Sequence, residues 1–356
     1  MNREALRVAL ISTPFVSVPP RGYGGTELVV AELARALQAR GVEVVVYATG
    51  DSNLSDIEVR SYFPAAQWPP DRNLERVHAA WSLRDAARDP RGFDVVHVHS
   101  PSAVEMARLC PYPVLCTLHH DVDPELTDIY EAAQQVTLVA ISRSQARREK
   151  ARVGAVVHHG LDPARFQPVP DQGYLLFLGR YDRVKGVRSA VEVAARAGLP
   201  LVMAGEPHDR EYYEKEVQPL VARHNILEVG PVGGARKAAL LARARALLFP
   251  VEWEEPFGLV MIESMLSGVP VLATARGAAP EVVEDGVTGV LCDDPMEMVA
   301  AARIAERLFD RDRIRRLAAE RWNAARMADD YLRLYRAAGV ERLMGEPAEG
   351  ETAAGA

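Results

Sequence analysis

Glu255-Pro256-Phe257-Gly258-Leu259-Val260-Met261-Ile262-Glu263 sets two glutamates eight positions apart, with a proline and a glycine after the first and an apolar run before the second. Proline is favoured at the first helical position, where its missing N–H costs nothing. The stretch therefore predicts a helix that starts just after Glu255 and carries Glu263 about two turns inside. At ~1.5 Å per residue the two carboxylates would stand roughly 12 Å apart along the axis. That is about the span from the ribose of a nucleotide to a sugar carried on its diphosphate. The helix N-terminus between them offers free N–H groups and a positive dipole end to an anion. One short element would then hold ribose, diphosphate and sugar together. The plain alternative is a surface helix with two ordinary carboxylates, and the motifs below weigh against it.

On both sides of this stretch, short apolar runs alternate with helical spacing. Ala246–Phe249 reads as a strand before it and residues 269–273 as a strand after it. Upstream lie strands at 174–178, Leu201–Ala204 and 226–229, with helices at Val187–Ala197 and 236–244. The first half repeats the pattern. Residues 7–12 form a strand and Arg21-Gly22-Tyr23-Gly24-Gly25 a Gly-rich loop. Residues 26–39 carry Leu28, Val29, Leu33 and Leu37 at helical spacing, and Gly41 ends that helix. Further strands are expected at 42–47, 94–99, Val114–Leu118 and 136–141. Strands separated by helices imply parallel sheets covered on both faces. The expected class is α/β, with two Rossmann-like domains facing a central cleft. Residues 164–173, with Pro168 and Pro170, read as the linker. The domains are then 1–165 and 166–327. A last helix over about 328–344 packs back on the first domain, and residues 345–356 form a disordered tail.

A chain of 356 residues suits two domains better than one core. Its net charge of -7 gives no general attraction to nucleic acid or acidic membranes. No apolar run is long enough to span a bilayer, and the N-terminus passes straight into a strand rather than a signal peptide. The three cysteines, Cys110, Cys116 and Cys292, lack metal spacing. Their odd number argues against a disulfide framework and fits a reducing cytoplasm. Lys and Arg together number 42, of which lysine supplies four: Lys150, Lys185, Lys215 and Lys237.

Ligands of such sheets bind beyond the carboxyl ends of the strands, and each remaining motif falls there. Gly179-Arg180 closes a strand and Lys185-Gly186 opens the next helix. An Arg and a Lys beside a helix N-terminus suit a diphosphate. In a chain this poor in lysine, a retained Lys185 suggests that a compact point charge is needed. Gly24-Gly25-Thr26-Glu27 repeats the strand–loop–helix arrangement, but it is not a full dinucleotide fingerprint and a tight turn explains it as well. Histidines come in pairs: His97 and His99, His119 and His120, His158 and His159. His119-His120-Asp121-Val122-Asp123 lacks metal-ligand spacing. His119 suits neutral hydrogen bonding to sugar hydroxyls, whereas packing explains the other histidines equally well.

Taken together, Gly24-Gly25-Thr26-Glu27, Thr117-Leu118-His119, His159-Gly160-Leu161-Asp162, Gly179-Arg180 with Lys185-Gly186, and the two-glutamate element resemble the retaining glycosyltransferases of family 4, which have the GT-B fold. Gly268-Val269-Pro270-Val271 and Glu281 before Gly286-Val287-Thr288-Gly289 extend the match over nearly the whole chain. The resemblance implies a nucleotide-diphosphate sugar donor with uracil as the base, retention of anomeric configuration, and no metal or other cofactor. It implies that Arg180 and Lys185 hold the diphosphate, Glu263 the ribose and Glu255 the donor sugar. Gly24, Gly25, Val232, Phe257, Gly258 and Leu259 would complete the donor site, and His119 would approach the sugar. His159 departs from the family, which commonly has Asn there. Val18-Pro19-Pro20-Arg21-Gly22-Tyr23 resembles a branch with an antibiotic-tailoring enzyme, over too short a run to name an acceptor.

Other functions fit the pattern less well. A sugar-nucleotide epimerase or a glycogen-type synthase would share the architecture. An NAD-dependent oxidoreductase would need the glycine fingerprint and ribose acid that are missing here, and a non-catalytic nucleotide- or sugar-binding protein would release no nucleoside diphosphate. Residues 62–81, with Trp68, Trp81, Pro64, Pro69 and Pro70, are expected to border the acceptor side. Arg143, Arg147, Arg148, Lys150 and Arg152 form a basic stretch with two readings, a weak peripheral contact with a lipid head group and, more simply, a solvated helix face.

Overall fold

Thirteen strands form two sheets in the computed structural model, which describes residues 5–345. The first sheet contains β1 (Arg7–Ile11), β2 (Glu43–Tyr47), β3 (Glu58–Arg60), β4 (Val95–Val98), β5 (Val114–Leu118), β6 (Val136–Ala140) and β7 (Val153–Val156), in the order β3-β2-β1-β4-β5-β6-β7. The second contains β8 (Leu175–Leu178), β9 (Leu201–Ala204), β10 (Ile226–Glu228), β11 (Ala246–Phe249), β12 (Val271–Thr274) and β13 (Gly289–Cys292), in the order β10-β9-β8-β11-β12-β13. Every pairing is parallel.

The inner strands are mostly apolar because successive side chains feed opposite faces and both faces are covered. Val8 and Leu10 enter one core of the first sheet, and Ala9 and Ile11 enter the other. The Gly25–Gln38 helix covers the first of these faces with Val29, Val30, Leu33 and Leu37. The Arg72–Ala87 helix, capped by the Asp71 carboxylate, covers the second with Ala79, Leu83 and Ala86. Each fully buried aliphatic side chain contributes roughly 1.5–3 kcal/mol.

The last helix, Ala324–Gly345, joins the core of the first sheet through Met327, Ala328, Tyr331, Leu332 and Tyr335. It begins four residues before the expected start. Residues 346–356, nearly all of the expected disordered tail, lie outside the described residues. Where the chain leaves the first sheet and where it returns, the two segments pair: Leu161 N–H donates to the Trp322 carbonyl at 2.9 Å, and Ala324 N–H to the Leu161 carbonyl at 3.0 Å. A Cβ at Gly160 would lie 2.1 Å from the Asn323 carbonyl oxygen, so the close approach requires glycine.

β3, β7 and β13 have no counterpart in the sequence reading. All three are sheet edges. An edge strand pairs on one side only and carries a weak apolar signal, as in Glu58-Val59-Arg60 and the half-exposed Val153-Gly154-Ala155-Val156.

Candidate active site

In both sheets the strand order reverses at one point, between β1 and β4 in the first and between β8 and β11 in the second. Such reversals open a crevice at the carboxyl ends of the strands. The Gly24-Gly25 loop follows β1, Gly179-Arg180 follows β8, and the two-glutamate element follows β11. The topology thus brings these motifs, far apart in sequence, to facing strand ends.

The two-glutamate element departs from its expected form. The helix is Leu259–Leu266, not a helix from Pro256, and its N-cap is Gly258 at φ 79°. The left-handed turn favours glycine at 258; a Cβ there would meet the movable end of the Met261 side chain, Cε, at 2.7 Å. Pro256 stands before that turn rather than at the first helical position. Glu263 is therefore one turn inside the helix, and the 1.5 Å rise applies only from Leu259 onward.

Each glutamate meets a lysine. Lys185 Nζ donates to Glu255 Oε2 at 2.5 Å, and Trp253 Nε1 donates to the same oxygen at 2.9 Å. The ammonium also sits 4.6 Å from the centre of the Trp253 ring. Lys237 Nζ donates to Glu263 Oε1 at 2.5 Å, with the glutamate side chain only 4 % exposed. Lys237 has no role in the sequence reading. Its one signal was the scarcity of lysine, since two of the four lysines face the two glutamates. Lys185 and Glu255, read from the sequence as partners of separate parts of a ligand, form one ion pair.

Backbone contacts fix Glu255. Ala278 N–H donates to its carbonyl at 2.8 Å. Gly277, at φ 58°, lies so close that a Cβ there would stand 2.3 Å from both the Glu255 nitrogen and oxygen. Lys185 is placed by the Arg183–Lys185 turn, whose N-cap Asp182 accepts from Lys185 N at 3.0 Å. Gly186 follows at φ 67° and opens the Val187–Ala197 helix. Arg180 is half exposed, its Nε 3.5 Å from Asp182 Oδ2.

Across the crevice, a Cβ at Gly25 would touch Leu259 Cδ1 at 3.3 Å, and one at Gly233 would lie 2.7 Å from the Arg21 carbonyl and the Gly22 Cα. The Gly-rich loop, Leu259 and the turn containing Val232 therefore adjoin. Glu27, in the first turn behind the glycines, is buried and accepts from the Thr13 hydroxyl; burial raises its carboxyl above the usual range.

His119 projects from the end of β5 with His99 Nδ1 2.9 Å from its Nε2. His159 stacks on it at 5.3 Å and in turn meets Phe257 edge-on at 4.9 Å. Burial lowers all these imidazoles: His97 and His159 to about 3, His99 and His119 well below the ordinary value. They are neutral at physiological pH. Asp121 is ion-paired with Arg148, and Asp123 caps the Pro124–Ala132 helix by accepting from Glu125 N–H at 2.8 Å. Among the described residues no group of three or more His, Cys, Asp or Glu is arranged to hold a metal.

In the basic stretch Arg143, Arg147, Lys150 and Arg152 are exposed, and Arg148 pairs with Asp121. The Arg143–Arg148 helix points its N-terminus at Glu281 of the second domain, which accepts from Arg143 N at 2.8 Å and from Ser144 N at 2.5 Å. Of the aromatic residues expected near the acceptor, Trp81 packs on Tyr47, whereas Trp68 is 66 % exposed. No helix among the described residues is long and apolar enough to cross a membrane. Cys116 and Cys292 are buried free thiols.

The family model described as glycosyl transferases group 1 matches residues 162–323, and that described as glycosyltransferase family 4 matches residues 23–165. The chain is 26 % identical over 317 residues to the phosphatidyl-myo-inositol mannosyltransferase of Mycobacterium leprae (strain TN), covering 80 % of this chain and 83 % of that one. It is 28 % identical over 364 residues to the D-inositol 3-phosphate glycosyltransferase of Acidothermus cellulolyticus, covering 83 % and 81 %. The crystal structure of AviGT4, a glycosyltransferase involved in avilamycin A biosynthesis, superposes with a TM-score of 0.75 at 29 % identity, over 96 % of this chain and 99 % of that one.

Proposed function

The chain belongs to the family 4 type of glycosyltransferases with the GT-B fold, and from that premise we propose that it moves a hexose from a UDP-sugar to an acceptor hydroxyl with retention of configuration. On this reading residues 1–165, with the last helix, form the acceptor side, and residues 166–327 form the donor side. Arg180 and Lys185 hold the diphosphate, Glu263 the ribose and Glu255 the transferred sugar. Gly24, Gly25, Val232, Phe257, Gly258 and Leu259 line the donor, and His119 approaches the sugar. The free thiols suit a reducing cytoplasm.

The observation that carries the reading is the pair of lysine–glutamate contacts on one strand-end element, Lys185 to Glu255 and Lys237 to Glu263. A diphosphate supplies Lys185 with a new anionic partner, and the sugar hydroxyls then replace the ammonium on Glu255. Cleavage breaks the bond between the anomeric carbon and the phosphate oxygen, which leaves with the electron pair. Arg180, Lys185 and the free N–H groups at the start of Leu259–Leu266 stabilise the charge on that oxygen without a metal. A covalent route would need a carboxylate beneath the anomeric carbon. Asp121 and Asp123, the acids nearest His119 in sequence, are already held by Arg148 and by a helix cap. On this reading the acceptor hydroxyl attacks from the face the phosphate leaves, and the phosphate oxygen takes its proton.

The test is to incubate the chain with UDP-glucose, other UDP-sugars and GDP-mannose, with sugars, polyols and maltooligosaccharides as acceptors. Release of UDP and an α-linked product from an α-donor is expected. Failure to bind UDP and to release any nucleoside diphosphate would overturn the reading. Elongation of maltooligosaccharides alone would instead favour a glycogen-type synthase.

A further inference from the structure

We propose that His99 is a positioning residue that fixes His119 in the neutral tautomer with its proton on Nδ1, so that His119 meets the donor sugar as a hydrogen-bond donor. The sugar contact rests on the function proposed above; the pairing of the two rings does not.

His99 follows β4 and His119 follows β5, neighbouring strands in register. That register brings His99 Nδ1 to 2.9 Å from His119 Nε2. Both rings are uncharged, so the contact holds a single proton and has two arrangements. If His119 Nε2 donates, the proton of His99 sits on its own Nε2. That atom is buried and has no hydrogen-bond partner among the described residues. If His99 Nδ1 donates instead, the same Nε2 keeps only a lone pair. Buried N–H groups without an acceptor are rarer in proteins than acceptors left short of a donor, and each carries the desolvation penalty of the group. The second arrangement is therefore the stable one. It uses the His119 Nε2 lone pair and leaves the His119 proton on Nδ1.

The same neighbourhood keeps His99 from turning. His97 lies against it, with ring centres 4.2 Å apart. His97 is itself held at both nitrogens, Nδ1 by the Tyr335 hydroxyl and Nε2 by the Thr117 hydroxyl, each at 2.7 Å. The Tyr331 hydroxyl meets Thr117 at 2.6 Å. The last helix thus backs the histidine row with two tyrosines, and His159 closes the other side of His119 by stacking. A ring gripped in this way presents one tautomer, set by the hydrogen bond its other nitrogen makes.

The experiment uses the full chain with 15N-labelled histidine and two-bond 1H–15N correlation spectra at neutral pH, His119 being assigned by His119→Gln. Expected is a protonated Nδ1 and an unprotonated Nε2 on His119 in the ligand-free protein. Alongside, His99→Leu removes the donor, whereas His99→Asn places an amide N–H close to the former Nδ1. His99→Leu should lower turnover of a UDP-sugar about tenfold to a hundredfold while UDP affinity stays within about twofold, and His99→Asn should recover most of the loss. A proton on His119 Nε2, or wild-type turnover in folded His99→Leu, would overturn the proposal. Should His99→Leu fail to fold, the wild-type spectrum and His99→Asn turnover decide. Should the wild-type chain release no nucleoside diphosphate, the proposed function falls, while the spectrum still decides the tautomer.

Discussion

Around His119 the first domain presents a row of neutral imidazoles, His97, His99, His119 and His159, each lowered by burial. Around Glu255 and Glu263 the second domain presents charges, and each acid is already matched by a lysine. On the proposed function, the contrast follows from what each side would meet. A nucleotide diphosphate is an anion rich in hydroxyls, so ammonium groups and carboxylates can exchange their mutual contacts for contacts with it. A sugar is neutral, and uncharged nitrogens at a strand end bond its hydroxyls without the cost of burying an ion. Pre-formed pairs also keep the charged side from carrying unmatched buried charges.

The largest expected effect comes from disturbing the charged side without touching a charge. Gly277→Ala places a Cβ against the Glu255 backbone at a left-handed position. Turnover should fall roughly a hundredfold or more through misplacement of Glu255, while UDP still binds; steady-state kinetics beside calorimetry check this, and unchanged turnover would mean that Glu255 is not held by this turn. Next, Arg180→Ala and Lys185→Ala should each weaken UDP binding by about 1.5–3 kcal/mol, the worth of a charge-assisted contact. Equal affinity in both variants would remove the diphosphate from that strand end.

On the neutral side the expected effect is a slope rather than a loss. An imidazole whose folded pKa is about 3 refuses a proton that the unfolded chain accepts below about 6.5. The unfolded state therefore binds more protons in that window, and stability falls as pH falls. One such group contributes up to roughly 1.4 kcal/mol per pH unit. Thermal melts of the wild type and His159→Asn at pH 7.5 and 5.5 should show the variant losing less on acidification, whereas parallel losses would mean that His159 is charged in the fold. The smallest effect is expected from EDTA. Exhaustive chelation should leave sugar transfer unchanged, and an inactive enzyme restored by Mn²⁺ or Mg²⁺ would reassign Asp121 and Asp123.

The inner strands are legible in the sequence because a buried parallel strand is a short apolar run; Val114–Leu118, Leu201–Ala204 and Ala246–Phe249 agree to the residue. The start of the Leu259–Leu266 helix is not, because Pro256 imitates a helix start while Gly258 makes the turn. Lys237 and Glu263 share no sequence spacing; their contact comes from the Gly234–Arg243 helix lying beside the Leu259–Leu266 helix. The His99–His119 pair likewise depends on the register of β4 and β5, which hydrophobic periodicity does not specify. Helix ends, charge partners and cross-strand contacts are products of tertiary packing, and there the sequence is silent.

The two glutamates should fail differently, and UDP affinity measured beside donor turnover for Glu255→Ala and Glu263→Ala tests this most directly. Glu263→Ala should weaken free UDP and intact donor alike, since a ribose-binding carboxylate serves both. Glu255→Ala should bind UDP almost normally and lose turnover by roughly a hundredfold or more, since only the sugar loses its partner. Loss of UDP binding in Glu255→Ala with retention in Glu263→Ala would mean that the donor lies the other way along the element, with sugar and ribose exchanged.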